Sequence, residues 1–241
     1  MIKVMDIKPT GFSDLSQITE AVVSCTMCER LVNWRTEVSQ QKVKRYRHQE
    51  YWGRPLPGFG DPKAALMVVG LAPAAHGGNR TGRMFTGDDS GTWLIRAMHA
   101  TGFANQMTSA YREDGLQLVR AYITAAVRCA PPDNRPTVDE FRNCRPYLIA
   151  ELDVIQPCVI LVLGRMAYEA VRTHYRDRGL DVRHWKFSHG TQIEIPGVRP
   201  TVLIISYHPS RQNTQTGRLT REMLHSVFET ARCLIAEREP R

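Results

Sequence analysis

The sequence predicts an α/β fold, a three-layer α/β/α sandwich around a central, mostly parallel four-stranded sheet. Four short runs are apolar throughout, as strands buried on both faces are. Helical patterns lie between them, the alternation that builds parallel sheets. A long loop rich in Gly, Asn, Arg, Asp and His follows the first apolar run without a break. Loops at the carboxyl ends of such strands are where these folds hold substrates.

Along the chain, residues 14–38 read as a helix interrupted by "CTMC", and "KVKRYRHQEYWGRPLPGFGD" reads as irregular because of its Gly and Pro. The first strand is "ALMVVGL" at 65–71. It opens into "GLAPAAHGGNRTGRMFTGDDSG", Gly70 to Gly91, and then into the helix "SGTWLIRAMHATG", capped within Asp88 to Ser90 and stopped by Gly102. "AYITAAV" at 121–127 is the second strand, and the helix "TVDEFRNCRPYLIAEL" after it is expected to be cut near Pro146. "CVILVLG" at 158–164 precedes the helix "RMAYEAVRTHYRDRG", and "TVLIISY" at 201–207 is the fourth strand. A terminal helix from about Thr220 carries Met223, Leu224, Val227, Phe228, Ala231, Leu234 and Ile235 on one stripe. Right-handed crossovers arrange these elements as a sandwich.

With 241 residues, 42% hydrophobic and 23% charged, the chain is expected to form one domain over 1–241, with an amino-terminal segment at about 14–60. Its 32 Lys+Arg against 24 Asp+Glu leave a net charge of +8, which favours a polyanionic partner such as nucleic acid. No segment approaches the roughly 18 apolar residues of a membrane span, and "MIKVMDIKPTGFSD" lacks the pattern of a signal peptide. The expected location is cytoplasmic, where six cysteines are metal ligands or buried thiols rather than disulfides. Neither G-x-x-x-x-G-K-[ST] nor G-x-G-x-x-G occurs, which argues against a loop that cradles ATP or NAD.

Two constellations carry chemistry. Cys25 and Cys28 form a C-x2-C pair, Cys129 ends a strand before "APPDNRP", and Cys144 follows fifteen residues later. Four such thiolates suit zinc or an iron–sulfur cluster. Cys158 and Cys233 read as small hydrophobes. In "SYHPSRQNTQTGRLT", His208 stands at a strand's carboxyl edge, Pro209 fixes the turn, and Ser210, Arg211, Gln212 and Asn213 form a polar tip suited to contacting phosphates or probing a helix groove. Arg80 and Arg83 also read as phosphate contacts; His76 and Asn79 have no clear role.

Together with "YWGRPLPGFGD" and "VRCAPPDN", the long glycine-rich loop, "HPSRQNTQTGRLT" and the four cysteines resemble the family-five uracil-DNA glycosylases, an iron–sulfur branch of the uracil-DNA glycosylase superfamily. The resemblance spans nearly the whole chain. It implies hydrolytic removal of damaged bases from single- or double-stranded DNA by a monomer. It also implies a structural 4Fe-4S cluster on Cys25, Cys28, Cys129 and Cys144, tying the cluster-binding 14–60 segment to the chain after the second strand. His208 is then the donor to a carbonyl oxygen of the base, Phe85 the stacking aromatic, and Asp88 the group serving the sugar or a water. Gly70, Leu71, Ala72, Asn134 and Arg211 are the expected substrate contacts.

Two departures matter. Where other branches carry an acid or Asn after the opening Gly, this chain reads Leu71, Ala72 and Pro73, so the acidic role passes to Asp88. Where the related iron–sulfur family carries a base-reading Asn, it has Ala125, which predicts broad acceptance extending to hypoxanthine. The alternatives are a non-catalytic nucleic-acid-binding protein with a structural zinc site on the four cysteines and an enzyme acting on free nucleotides.

Overall fold

The structure, a computed structural model, describes residues 11–197 and 200–238. In chain order its elements are α1 (Leu15–Val23), α2 (Glu29–Gln41), β1 (Phe59–Gly60), β2 (Leu66–Gly70), α3 (Gly78–Thr81), α4 (Asp89–Ala100), β3 (Ala121–Ala125), α5 (Val138–Ile155), β4 (Val159–Leu163), α6 (Arg165–Asp177), β5 (Gln192–Ile195), β6 (Thr201–Ser206), α7 (Arg211–Gln215) and α8 (Arg221–Glu237).

Among the described residues the sheet has six strands in the order β1-β3-β2-β4-β6-β5, not four. The four apolar runs form its parallel centre, and both extra strands pair antiparallel at the edges. Neither edge strand resembles a buried run. β1 has two residues, and "QIEI" in β5 is exposed at alternate positions.

Each central strand splits its side chains by the period of two. Leu66, Val68, Ile123, Leu161 and Ile204 face Leu94, Met98, Leu224, Val227 and Phe228 of α4 and α8. Met67, Val69, Ile160, Val162 and Leu203 face Leu148, Leu152, Tyr168 and Val171 of α5 and α6. A third layer of contacts joins α1 to α5 through Ile18, Val22 and Tyr147. α5 runs unbroken through Pro146, against expectation. Proline removes one backbone donor, and the carbonyl it strands belongs to Arg142, whose side chain is exposed to solvent at 71%. Among the described residues no helix is long and apolar enough to cross a membrane.

From β2 the chain moves outward to β3, then crosses back over β2 to reach β4. The reversal opens a crevice at the carboxyl ends of β2 and β4, the position at which open α/β sheets bind ligands.

Candidate functional site

The loop after β2 is held by its own side chains. Arg80 donates from Nε to the His76 carbonyl (2.8 Å), from Nη1 to Gln49 Oε1 (2.6 Å) and from Nη2 to the Gly87 carbonyl (3.0 Å). Arg83 is buried and paired with Asp114 at 2.8 Å. These two arginines are therefore scaffold, not phosphate contacts. Asn79 is fully buried and donates to the Arg35 carbonyl at 3.3 Å. The irregular basic stretch lies on this loop, with Trp52 N–H donating to Arg80 O and Gly53 N–H to Asn79 O, both at 3.0 Å.

Asp88 ends the loop as the N-cap of α4, its Oδ1 accepting from Gly91 N–H at 2.8 Å. A Cβ at residue 77 would collide with Asp88 Oδ2, so only glycine leaves the carboxylate room there. Burial pushes the carboxyl above its ordinary range; the Gly91 hydrogen bond opposes this, Asp89 adds to it, and Arg80 opposes it. A carboxylate at a helix start is also favoured by the positive end of the helix dipole.

Phe85 takes a positive φ of 50°, a left-handed conformation that is costly for a bulky residue. That backbone lays the ring against Gly70 at the end of β2, where a Cβ would stand 2.9 Å from Cε2 and Cζ. The same ring lies 6.0 Å from the His208 imidazole, tilted by 33°. His208 follows β6, and its carbonyl accepts from Asn213 Nδ2 at 2.9 Å, fixing the turn capped by Ser210. Burial lowers the His208 pKa to about 4, so the imidazole is neutral near pH 7. Ala125 pairs with Gly70 across β2 and β3 and presents only a buried methyl.

Asp88 and Asp89 share a cleft of about 440 Å³ with His76, Asn134 and Arg211. Asn134 and Asp133 are both left-handed, with φ 55° and 53°, the sharp turn that brings the exposed amide to the cleft. Arg211 already has a partner, Asp89, at 2.8 Å. Phe85, His208, Gly70 and Leu71 lie at the strand ends and do not line this cleft. Ala72 packs instead against the cysteines.

Cys28, Cys129 and Cys144 share one cluster with Leu31 and Val127, and Cys25 adjoins it beside Ile18 and Tyr147. Burial raises the thiol pKa of Cys28, of Cys129 to about 11, and of Cys144, and neighbouring thiols add to each shift. Among the described residues no three His, Cys, Asp or Glu side chains stand close enough to share a single ion. The four thiols are near neighbours rather than a closed mononuclear site. Sequence reasoning missed Arg35, which is buried at 6% exposure and donates from Nη1 to Cys129 Sγ at 3.1 Å. Among the described residues it has no carboxylate at ion-pair distance. Asn143 Nδ2 likewise donates to Cys28 Sγ at 3.4 Å.

Residues 57–232 match the family profile described as the uracil DNA glycosylase superfamily. The chain is 46% identical over 222 residues to a type-5 uracil-DNA glycosylase of Thermus thermophilus, covering 92% of this chain and 98% of that protein. It is 45% identical over 223 residues to one of Pyrobaculum aerophilum, covering 92% and 93%. A type-4 uracil-DNA glycosylase of Sulfurisphaera tokodaii is 29% identical over 205 residues, covering 81% and 77%.

Proposed function

The chain belongs to the uracil DNA glycosylase superfamily, and from that premise we propose that it flips damaged nucleotides out of DNA and hydrolyses the bond between base and sugar. The observation that carries this reading is the meeting of Phe85, Gly70 and His208 at the ends of β2 and β6, one loop away from the Asp88 carboxylate. Nothing in the comparisons supports a non-catalytic protein with a zinc site.

Each residue then has a physical task. An extruded base stacks on Phe85, whose strained backbone is the outlier expected of a preorganised contact. As the C1′–N bond breaks, negative charge grows on the base and positive charge on the sugar. Neutral His208 donates a hydrogen bond to a carbonyl oxygen of the departing base. Asp88 faces the sugar cation or orients the water that adds to C1′; the base leaves as an anion and takes up a proton. Asn134 and Arg211 contact the nucleotide from the cleft rim, and Leu71 and Ala72 shape the backbone beneath it.

Cys25, Cys28, Cys129 and Cys144 fit a 4Fe-4S cluster. Arg35 is a buried cation with no carboxylate at ion-pair distance among the described residues, its Nη1 donates to Cys129 Sγ, and N–H donors to sulfur are a common feature of such centres. The cluster would supply cross-linking rather than a redox step, holding α1 and α2 to the segment after β3.

Ala125 puts a buried methyl where an amide would read the base edge from β3, so the pocket accepts hypoxanthine as well as uracil. Rejection of a wrong base depends on buried polar groups that it leaves unpaired. The test is single-turnover excision from duplexes and single strands holding uracil or hypoxanthine, with alkali cleavage of the abasic product. Release of both bases is expected; hypoxanthine untouched at enzyme excess would sink the broad-pocket reading, and uracil retained would sink the glycosylase itself.

A further inference from the structure

The segment between α4 and β3 belongs to none of the roles above, yet it is bound to the catalytic loop with unusual thoroughness. Arg83 donates to Ser109 Oγ (3.0 Å), to the Arg112 carbonyl (2.9 Å) and to both Asp114 oxygens (2.8 and 2.9 Å). Thr86 Oγ1 meets Ser109 Oγ at 2.7 Å, and Gly87 N–H donates to the Ser109 carbonyl at 2.8 Å. Asp114 closes the loop on itself through Ala110 N–H (2.7 Å) and Leu116 N–H (3.1 Å).

The segment buries Phe103, Leu116 and Leu118 in the core. It nonetheless leaves Met107 at 57% and Tyr111 at 58% exposure, among the few large apolar side chains so exposed in the described residues. Both line a groove of about 730 Å³ that shares Arg45, Tyr46, Gly87, Asp88 and Asp89 with the smaller cleft, so the two are continuous through Asp88. Arg45 and Arg96 are exposed along it. Neither has a carboxylate at ion-pair distance among the described residues. Tyr46 is flanked by two guanidinium groups, Arg45 at 4.4 Å and Arg80 at 3.9 Å from its ring centre. Cations that track a backbone beside apolar faces that stack on bases are the two parts of a single-strand nucleic-acid groove.

We propose that this groove carries the DNA strand flanking the extruded nucleotide, with Tyr111 and Met107 contacting a neighbouring base and Arg45 and Arg96 its phosphates. The proposal rests on the glycosylase reading and extends it to a second contact surface. Rigid anchoring gives it a physical purpose: the loop is ordered before DNA arrives, so little ordering entropy opposes binding.

The test is fluorescence anisotropy of the full chain with labelled oligonucleotides, single-stranded and duplex, that hold a tetrahydrofuran abasic analogue. A Met107→Ala/Tyr111→Ala double variant is expected to bind about 5- to 150-fold more weakly, the effect of truncating a stacking residue, with its salt dependence unchanged. Arg45→Ala and Arg96→Ala are each expected to reduce the slope of log K against log salt by about one. Met166→Ala removes an exposed apolar side chain of α6, 38% exposed and not among the groove residues, and serves as the control for surface truncation. Equal thermal melts establish that all variants are folded. Affinity and slope matching the Met166→Ala protein in every groove variant would overturn the proposal. If the wild type excises uracil while this occurs, only the groove fails; if it does not excise uracil, the glycosylase reading fails as well.

Discussion

Asp88 divides its work between two oxygens. One caps α4, and the other lies against the Cβ-free face of Gly77. Asparagine is as good a cap as aspartate, so Asp88→Asn keeps the helix start and removes the charge. Single-turnover excision is expected to fall about 100- to 1,000-fold, the usual cost of one charge-stabilising group, and His208→Ala is expected to fall by a similar factor. A near-wild-type rate in Asp88→Asn would move the role elsewhere. The pH profile separates the two residues. Because burial raises Asp88, the rate should decline as pH falls through that raised pKa, and this acid limb should vanish in Asp88→Asn. His208, with its pKa lowered to about 4, should give no inflection near the ordinary histidine value of about 6.5. Between those two values the unfolded chain binds a proton that the folded protein refuses. His208 therefore costs stability as pH falls from about 6.5 toward 4, and the buried His174, also lowered to about 4, adds to the loss.

At the scale of elements, α5 is the member that joins sheet to cysteines. Cys144, Tyr147 and Glu151 recur along its buried face. Glu151 is fully buried and accepts from Arg128 Nη1 (3.0 Å) and Nη2 (2.5 Å), Tyr122 (3.2 Å) and Thr124 (2.5 Å), all within or just after β3. Arg128 immediately precedes Cys129, so this ion pair sets the register between β3 and α5 where the thiols meet. Removing one member of a buried pair costs about 3–5 kcal/mol because the other charge is stranded. Glu151→Gln should lose stability on that order in denaturant unfolding, whereas Arg128→Met with Glu151→Leu should recover much of it. A loss below about 1 kcal/mol in the single variant would show that the pair is not what holds α5.

For the whole molecule, the segment from α1 to β1 covers the loop after β2 from outside the sheet, through Trp52 and Gly53 to the 79–80 backbone and through Arg35 to Asn79 and Cys129. A cluster on the four cysteines would lock this cover in place. Anaerobically purified protein is expected to be brown, with iron and acid-labile sulfide in equal amounts, and Cys129→Ser should lose both. Stoichiometric zinc without iron would refute the cluster.

The central strands and flanking helices were legible because continuous apolar runs and a 3.6-residue stripe are local signals. The edge strands were not, since β1 and β5 are defined by pairing with β3 and β6 rather than by their own residues. Pro146 misled because a proline removes a single backbone donor, and the residue whose carbonyl loses it, Arg142, lies on the exposed side of α5. The resemblance singled out Phe85, but its left-handed backbone, which seats the ring on Gly70, is not visible in a residue type. The opposite error came with Arg80 and Arg83, where two arginines in a polar loop suggested phosphates and proved to be its internal struts. The sequence by itself determined the α/β layering and the crevice at the strand ends, and it singled out Asp88, His208 and four cysteines as candidates for the chemistry. Only the tertiary structure decided which arginines are spent on the scaffold, that Arg35 is aimed at a thiol, and that Met107 and Tyr111 stay exposed beside the site. Those outcomes are set by partners distant in the chain, whereas periodicity reports only neighbours a few residues apart.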